Sequence, residues 1–229
     1  MDFLERFYLL AGDKVLNVGK LNILIIGLGG VGSYTLESLA RMGVGNFTIV
    51  DYDTVDVSNI NRQIYALHST IGEKKVDVAK RRVLDISPTT NVNIIDTKIT
   101  LENIDKLMLG SYDYVVDACD SVEIKKELIK LCKEKNQKLI SSMGTANKLD
   151  PTKLKITDLS KTNYDPIAKV LRKYVKDNHI KGKITVVSSD EVPFKLQGKL
   201  GSVSFVPSVA GLLITSHIIR EVIYDKDWS

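Results

Sequence analysis

Two cationic residues, Arg62 and Lys75, lie thirteen residues apart in the polar stretch 59–75. A long polar connection inside a compact chain is uncommon unless it has a function. In nucleotidyl transfer, negative charge builds on the α-phosphate oxygens and on the departing pyrophosphate. Cations and a metal held at those oxygens stabilise that charge. The two side chains therefore predict chemistry on a nucleotide's phosphates.

A glycine-rich loop, GLGGVG at residues 27–32, precedes this stretch. It follows an apolar strand pattern and opens a helix pattern, which is the context in which such loops bind nucleotide phosphates. Gly27 permits a tight turn, Gly29 lets the backbone approach a phosphate, and Gly32 lets the helix pack on the strand. Asp51 ends the next predicted strand, where its carboxylate is placed to bond ribose hydroxyls.

The glycine loop alone fits NAD as well as ATP. A dehydrogenase leaves the pyrophosphate of its cofactor intact and needs no further cations over the phosphates. Arg62, Lys75 and a Mg²⁺ ion held by an acid such as Asp120 suit nucleotidyl transfer, since Mg²⁺ takes one or two carboxylates plus phosphate oxygens. ATP is therefore favoured, and an NAD-binding oxidoreductase remains an alternative.

Apolar strand patterns alternate with helix patterns through the first part of the chain. This alternation predicts an α/β fold with a Rossmann-like, doubly wound, mostly parallel sheet. We expect a single domain, with a nucleotide-binding half at about 1–143 and a C-terminal elaboration at about 144–229. The elaboration is expected to contain a helix at 165–177, a strand at 183–189, a polar, mobile loop at 189–201 and an apolar helix from Pro207.

The composition restricts the class of protein. Among 229 residues there are two cysteines, Cys119 and Cys132, and no CxxC sequence. This argues against a disulfide framework or a zinc site and predicts a reducing, cytoplasmic location. The uncharged stretch 201–219 contains Ser, Thr, His and Pro, so we expect a buried helix or a subunit interface and no stable membrane insertion.

A basic segment lies in the second half of the chain. Residues 151–183 carry nine Lys or Arg and three Asp, a local net charge of +6 in a chain whose total is +4. Four of the basic residues share one face of the predicted helix, and we call them the basic stripe: Lys169, Arg172, Lys173 and Lys176. Such a face is either a solvated helix surface or a site for a phosphate backbone.

Five short sequences in fixed order, GLGGVG, DYD, SNINRQ, GEKK and DACDS, resemble the ubiquitin-activating-enzyme-like superfamily. Bacterial members of that superfamily adenylate a carboxylate with ATP. The resemblance implies that Arg62, Lys75 and Asp120 are catalytic, that Asp120 binds Mg²⁺, and that Arg6 reaches the ATP of a partner subunit in a homodimer. It further implies an ATP site made of Gly27, Gly29, Gly30, Asp51, Asp53, Asn59, Arg62, Lys75, Asp120 and Arg6.

The second half of the chain indicates which branch of the superfamily it resembles. GTANKLDPTKLKITDLSK and LGSVSFVPSVAGLLI are similar to the branch of the superfamily that cyclises threonylcarbamoyladenosine in tRNA. That branch implies ATP-dependent dehydration through an acyl adenylate. With tRNA as the expected substrate, the charge of the basic stripe predicts that it supports the tRNA backbone. The acceptor lies within the substrate, so no enzyme thiol is required, and both cysteines are interpreted as core residues.

Three other interpretations stay open at this point. The chain could activate the C-terminus of a ubiquitin-like sulfur-carrier protein, bind tRNA without catalysis, or be the NAD-binding protein mentioned above. The resemblance also leaves room for a sulfur-transfer partner. The glycine loop is compatible with each of these alternatives. The residues around the loop, and assays of which substrate the protein uses, are needed to discriminate between them.

Overall fold

The computed structural model describes residues 3–198 and 200–224. Within this part of the chain, seven strands form one sheet in the order β3-β2-β1-β4-β5-β7-β6, and all neighbouring pairs except β7 and β6 are parallel. The strands are β1 Asn22–Ile26, β2 Asn46–Val50, β3 Asn91–Ile95, β4 Tyr114–Asp117, β5 Leu139–Ser142, β6 Leu154–Asp158 and β7 Thr185–Ser189.

Helices connect the strands and cover the sheet. The described residues contain α1 Glu5–Ala11, α2 Val15–Gly19, α3 Gly30–Arg41, α4 Lys75–Ile86, α5 Ile104–Leu107, α6 Val122–Glu134, α7 Pro166–Asp177 and α8 Phe205–Tyr224, with short 3₁₀ turns between some of them. The predicted α/β fold with a mostly parallel sheet is confirmed.

The strand order reverses between β1 and β4. The chain builds β1, β2 and β3 outward to one edge, then crosses back to place β4 on the other side of β1. A crevice opens beyond the carboxyl ends of the strands at such a reversal, and ligands of α/β sheets bind there. The glycine loop follows β1, so the topology puts it at this crevice.

The central strands are buried on both faces. In β1 and β4 nearly every residue is inaccessible, as their continuous apolar runs predict. On one face, α8 packs closely against α3: a Cβ atom at Gly211 would lie 2.6 Å from the carbonyl oxygen of Val31, and the Thr215 hydroxyl donates to the carbonyl oxygen of Thr35. This close packing explains why α8 needs small residues at its centre.

Helix α8 is long and apolar enough to cross a membrane by length and composition, but half of its most apolar window is buried inside the protein. This agrees with the predicted buried helix. The helix begins at Phe205 rather than at the predicted Pro207, because proline is tolerated within the first turn, where no intrahelical N–H bond is required.

Several boundaries differ from the prediction. Among the described residues between β3 and β4, the only α-helix is the single turn Ile104–Leu107, and β4 ends at Asp117, so DACDS lies largely outside the strand as a loop. Helices α1 and α2 had no predicted counterpart. The polar, mobile loop was predicted at 189–201, but Ser189 still belongs to β7. Residues 190–198 and 200–204 have no regular structure and expose large apolar side chains.

Candidate active site

The glycine loop turns tightly between β1 and α3. Gly27 has a φ of +90°, and a Cβ atom there would lie 2.7 Å from the carbonyl oxygen of Ala118, so only glycine fits. Gly29 caps α3, and a Cβ atom there would meet nothing within 4 Å. The open space above Gly29 adjoins the free N–H groups of the helix N-terminus, which favour an anionic ligand.

Gly30 and Gly32 are constrained by packing. A Cβ atom at Gly32 would lie 1.9 Å from the carbonyl oxygen of Gly27, which confirms that this glycine lets the helix approach the strand. At Gly30 it would lie 2.9 Å from the Cβ of Pro207. Gly30 was predicted to contact a phosphate. The structure gives a second reason for glycine at this position, because it allows the glycine loop to pack closely against the start of α8.

Asp51 and Tyr65 fix the glycine loop from two directions. The Asp51 carboxylate accepts hydrogen bonds from the backbone N–H of Leu28 at 2.7 Å and of Asp53 at 2.9 Å. The buried Tyr65 hydroxyl donates to the carbonyl oxygen of Leu28. Burial, reinforced by Asp51 and Asp53, raises the pKa of Tyr65 well above its usual range, so this hydroxyl stays a donor. Sequence reasoning gave Tyr65 no role.

Three carboxylates meet beside Tyr52. Negative charge on Asp53, together with burial and the charges of Asp120 and Asp51, raises the pKa of the Tyr52 phenol. Asp120 is exposed and lies in the loop after β4, whose residues Ala118 and Cys119 touch Gly27. Asp51, Asp53 and Asp120 therefore lie near enough to Tyr52 to act on its phenol, on the side of the sheet where the crevice opens.

The acids suit a magnesium ion that arrives with a nucleotide. In the described residues, no group of three His, Cys, Asp or Glu side chains could hold a metal ion alone. Magnesium usually keeps several waters and takes one or two carboxylates plus phosphate oxygens. The exposed Asp120 carboxylate can supply such a ligand, so the residues present fit the predicted ion.

Lys75 lies at the start of α4, where its side chain is 6% exposed. Its ammonium nitrogen Nζ is 2.7 Å from Oδ2 of Asp53, and its backbone N–H donates to the carbonyl oxygen of Asp53 at 3.0 Å. An ammonium group has three donors. Lys75 can therefore keep Asp53 as a partner and still donate to a phosphate.

Arg62 is presented by a short turn. Asn59 is buried, and its side-chain oxygen accepts from the Asp56 N–H at 3.2 Å, closing a cap around that turn. Arg62 donates from Nη1 to the Ser58 carbonyl oxygen at 2.7 Å and to Asn61 Oδ1 at 3.0 Å. No ion pair involves Arg62 within the described residues, so its charge is available to a ligand. Asn59 thus shapes the turn that carries Arg62.

A buried ion pair supports the loop that carries Asp120. Lys125 Nζ lies 3.0 Å from Oδ2 of Asp117, and both side chains are almost inaccessible. Ser141 Oγ donates to the same carboxylate at 2.5 Å, and Lys125 also donates to the Ser142 carbonyl oxygen at 2.8 Å. The pair joins β4, β5 and α6 beneath the site. The sequence signal was an Asp ending an apolar strand and a Lys within the helix after it.

The two cysteines are poor nucleophiles. Burial, reinforced by Asp117, raises the pKa of the Cys119 thiol well above its usual range, and Cys119 Sγ donates to Asp117 at 3.1 Å. Burial also raises the pKa of Cys132 to about 12. Because the thiolate is the reactive form, neither side chain is reactive at neutral pH.

The double variant Cys119→Ala, Cys132→Ala should keep wild-type turnover, since a protonated, enclosed thiol performs no transfer. Turnover and melting temperature would be measured together, because removing the buried Cys132 leaves a small cavity. A folded but inactive double variant would instead require a covalent enzyme intermediate.

Arg6 does not reach the crevice of its own chain. It lies exposed on α1, next to Leu4, which packs against Gly43 beyond the far end of α3. Helix α3 has 12 residues, a length of about 18 Å. Arg6 and the glycine loop are therefore near opposite ends of that helix.

The basic stripe lies on α7, outside the crevice. Lys169, Lys173 and Lys176 are exposed, whereas Arg172 is half-buried and donates to the Thr162 carbonyl oxygen at 2.8 Å. The N-terminus of α7 lies beside Gly144, just after β5, so it shares the carboxyl edge of the sheet with the crevice. The stripe runs from that edge toward the opposite one.

Known proteins resemble the chain along most of its length. A tRNA threonylcarbamoyladenosine dehydratase of Bacillus subtilis is 41% identical over 221 residues, covering 89% of this chain and 87% of that protein. The Escherichia coli protein of the same name is 39% identical over 183 residues, covering 77% and 68%. A crystal structure of the Escherichia coli dehydratase in complex with ATP superposes with a TM-score of 0.89, at 34% identity, covering 96% of this chain and 92% of that one.

The sequence profile of one family accounts for nearly all of the chain, matching residues 5–226. This span includes the glycine loop, both cationic residues and α8. The chain belongs to the ThiF family.

Proposed function

We propose that this protein catalyses the ATP-dependent dehydration of threonylcarbamoyladenosine in tRNA, closing a ring through an acyl adenylate. The observation that carries the proposal is the similarity to a dehydratase of that name along 89% of the chain, including the segment after β5. The related crystal structure with bound ATP supports ATP rather than NAD as the nucleotide.

The crevice residues supply the parts that adenylation needs. In the first step, a carboxylate oxygen of the substrate attacks the α-phosphorus of ATP, and pyrophosphate departs with the electron pair of the broken P–O bond. Lys75 and Arg62 stabilise the charge that develops on the phosphate oxygens. Asp120 is the residue that would hold a magnesium ion, which would supply further positive charge at those oxygens, and Asp51 would hold the ribose.

The second step closes the ring. A nucleophile within the same modified side chain attacks the activated carbonyl carbon, loses its proton, and displaces AMP. Substrate and product then differ by one water, whose oxygen leaves in AMP. The nucleophile is attached to the same group as the carbonyl, so proximity replaces an enzyme thiol.

A homodimer accounts for the position of Arg6. This side chain lies far from the crevice of its own chain, yet it is exposed on the first helix. In a two-fold dimer, α1 of one protomer can lie beside the crevice of its partner. We propose that Arg6 acts on the ATP bound by the partner.

The basic stripe is the proposed support for the tRNA backbone. Replacing Lys169, Lys173 and Lys176 by Gln should weaken tRNA binding and lower the slope of log affinity against log salt by about two to three, since three phosphate contacts are lost. Arg172 is left intact because it bonds Thr162. Titrations at several salt concentrations would measure both quantities.

The matched control is Lys106→Gln, which neutralises an exposed lysine on α5. Its affinity and salt slope should equal those of the wild type. If the triple variant also binds tRNA as the wild type does, the stripe is an ordinary solvated helix face.

A sulfur-carrier adenylyltransferase is the nearest competing function, because it shares the adenylation step. The protein would be incubated with Mg-ATP and either modified tRNA or a carrier protein with a Gly-Gly terminus. Pyrophosphate release alone does not separate the two, so the acceptor must be analysed. We expect AMP formation with modified tRNA; a carrier adenylate and no altered tRNA would contradict the proposal.

A further inference from the structure

The segment 190–204, between β7 and α8, exposes several large apolar side chains. Val192, Phe194, Leu196 and Leu200 are 61%, 53%, 48% and 83% exposed. Single exposed apolar residues are normal, but a concentration of them on one short segment marks a surface that binds something. This segment has no role in the adenylation chemistry described above.

The backbone of the segment is firmly attached on one side. The Glu191 carboxylate accepts from the backbone N–H groups of Leu149 at 2.9 Å and Asp150 at 2.8 Å. The Phe194 N–H donates to the carbonyl oxygen of Asn147 at 2.8 Å, and the Gly201 N–H donates to Asn147 Oδ1 at 2.6 Å. The backbone that carries the exposed side chains is therefore held by hydrogen bonds to residues 147–150.

The other side of the segment touches the active site. Asn61 Nδ2 donates to the carbonyl oxygen of Ser202 at 3.0 Å, while Asn61 Oδ1 accepts from Arg62. The segment thus adjoins the turn that presents Arg62 to the phosphates. A long substrate that enters the crevice beside Arg62 can therefore contact this segment.

The charged residues of the segment favour nucleic acid over protein as its partner. The acids of the segment are engaged internally, Asp190 with Lys155 and Glu191 with backbone N–H groups, whereas Lys195, which follows Phe194 in the chain, is exposed. Exposed aromatic and cationic residues on one short segment are what single-stranded nucleic acid binds, through base stacking and phosphate contact. Protein interfaces, in contrast, are depleted in lysine.

We infer that Phe194 stacks on an unpaired base of the tRNA substrate and that Lys195 contacts the adjoining phosphate. The inference rests on the proposed function for the identity of the nucleic acid. It assigns substrate selection to the segment 190–204 and leaves the adenylation chemistry to the crevice. The stacked base would orient the modified nucleotide toward Arg62 and the nucleotide phosphates.

Replacing Phe194 by Ala should weaken binding of labelled, modified tRNA about tenfold, since loss of one stacked base reduces affinity by that order. Fluorescence anisotropy would measure it. Phe194→Tyr should bind within about twofold of the wild type, because tyrosine keeps the stacking ring. The control Leu109→Ala, at an exposed apolar residue preceding β4, should change nothing.

Steady-state kinetics distinguish the loss of a base contact from a general disturbance of the fold. In Phe194→Ala, the KM for tRNA should rise about tenfold while kcat at saturating tRNA and the stabilisation of the protein by ATP stay at wild-type values. Unchanged tRNA affinity in Phe194→Ala would overturn the inference. So would a loss of dimer mass with unchanged affinity, which would mean that a second copy of the chain covers this surface.

Failure of the proposed function gives a different pattern. If the wild type binds tRNA without dehydrating it, the proposed reaction is wrong, yet weaker binding by Phe194→Ala would still support the base contact. If the wild type binds no tRNA, the base contact is overturned as well.

Discussion

ATP-dependent turnover should fall about 10²- to 10³-fold when Lys75 is replaced by Met or Arg62 by Ala, while the fold stays intact. Each change removes a positive charge from the site where phosphate charge develops. Met keeps the aliphatic stem of Lys75, which is packed at the start of α4, and Asp53 is 46% exposed, so losing its partner leaves it hydrated. Turnover would be followed by AMP formation and folding by melting temperature.

Matched variants test whether the position of the charge matters. Lys74 precedes Lys75 but pairs with Asp96, and Arg81 pairs with Glu73 on the exposed side of α4. Lys74→Ala and Arg81→Ala should keep turnover near the wild-type value, since each charge is already paired with a carboxylate outside the predicted site. Wild-type turnover in Lys75→Met or Arg62→Ala would remove that side chain from the mechanism.

Removing one member of the buried pair beneath the site should cost much of the protein's stability. Lys125→Met leaves the Asp117 carboxylate inside the protein without its cation, and such a change destabilises proteins by about 3–5 kcal/mol. Ser141 still donates to Asp117, but a neutral hydroxyl does not balance a buried charge. The free energy of unfolding would be measured by urea titration.

A lysine on the same helix supplies the control. Lys130 forms a surface pair with Glu127 at 2.9 Å, and Lys130→Met should leave the free energy of unfolding close to the wild-type value. The double variant Asp117→Leu, Lys125→Met should recover part of the stability, because apolar groups replace both charges. Equal, small losses for Lys125→Met and Lys130→Met would show that the buried pair contributes little.

Local patterns were enough to predict the sheet and the glycine loop. The run Asn22–Ile26 is apolar on both faces, and Gly27 follows it directly, so strand, turn and helix start could be read from adjacent residues. Arg62 and Lys75 were also found locally, because a short turn and a helix start carry them. These positions could be predicted because the residue types and their order along the chain are enough to indicate phosphate binding.

The remaining features depend on contacts between residues far apart in the chain. Tyr65 bonds Leu28, and Asp117 bonds Lys125 and Ser141; none of these pairs has a sequence pattern of its own. The exposed apolar side chains of the segment 190–204 were not predicted, because its Gly, Pro and charged residues resemble an ordinary polar loop. What distinguishes it, the attachment through Asn147 and Asn61, becomes visible only when the sheet is assembled.

The most direct test of the proposed reaction is the mass of the modified nucleoside after incubation of modified tRNA with the protein and Mg-ATP. We expect a nucleoside lighter by one water, formed together with one AMP and one pyrophosphate per ring. The change should be absent when ATP is omitted and should be slowed about 10²- to 10³-fold when Lys75→Met replaces the wild type. A nucleoside of unchanged mass, with folded protein, ATP and modified tRNA all present, would contradict the proposed function.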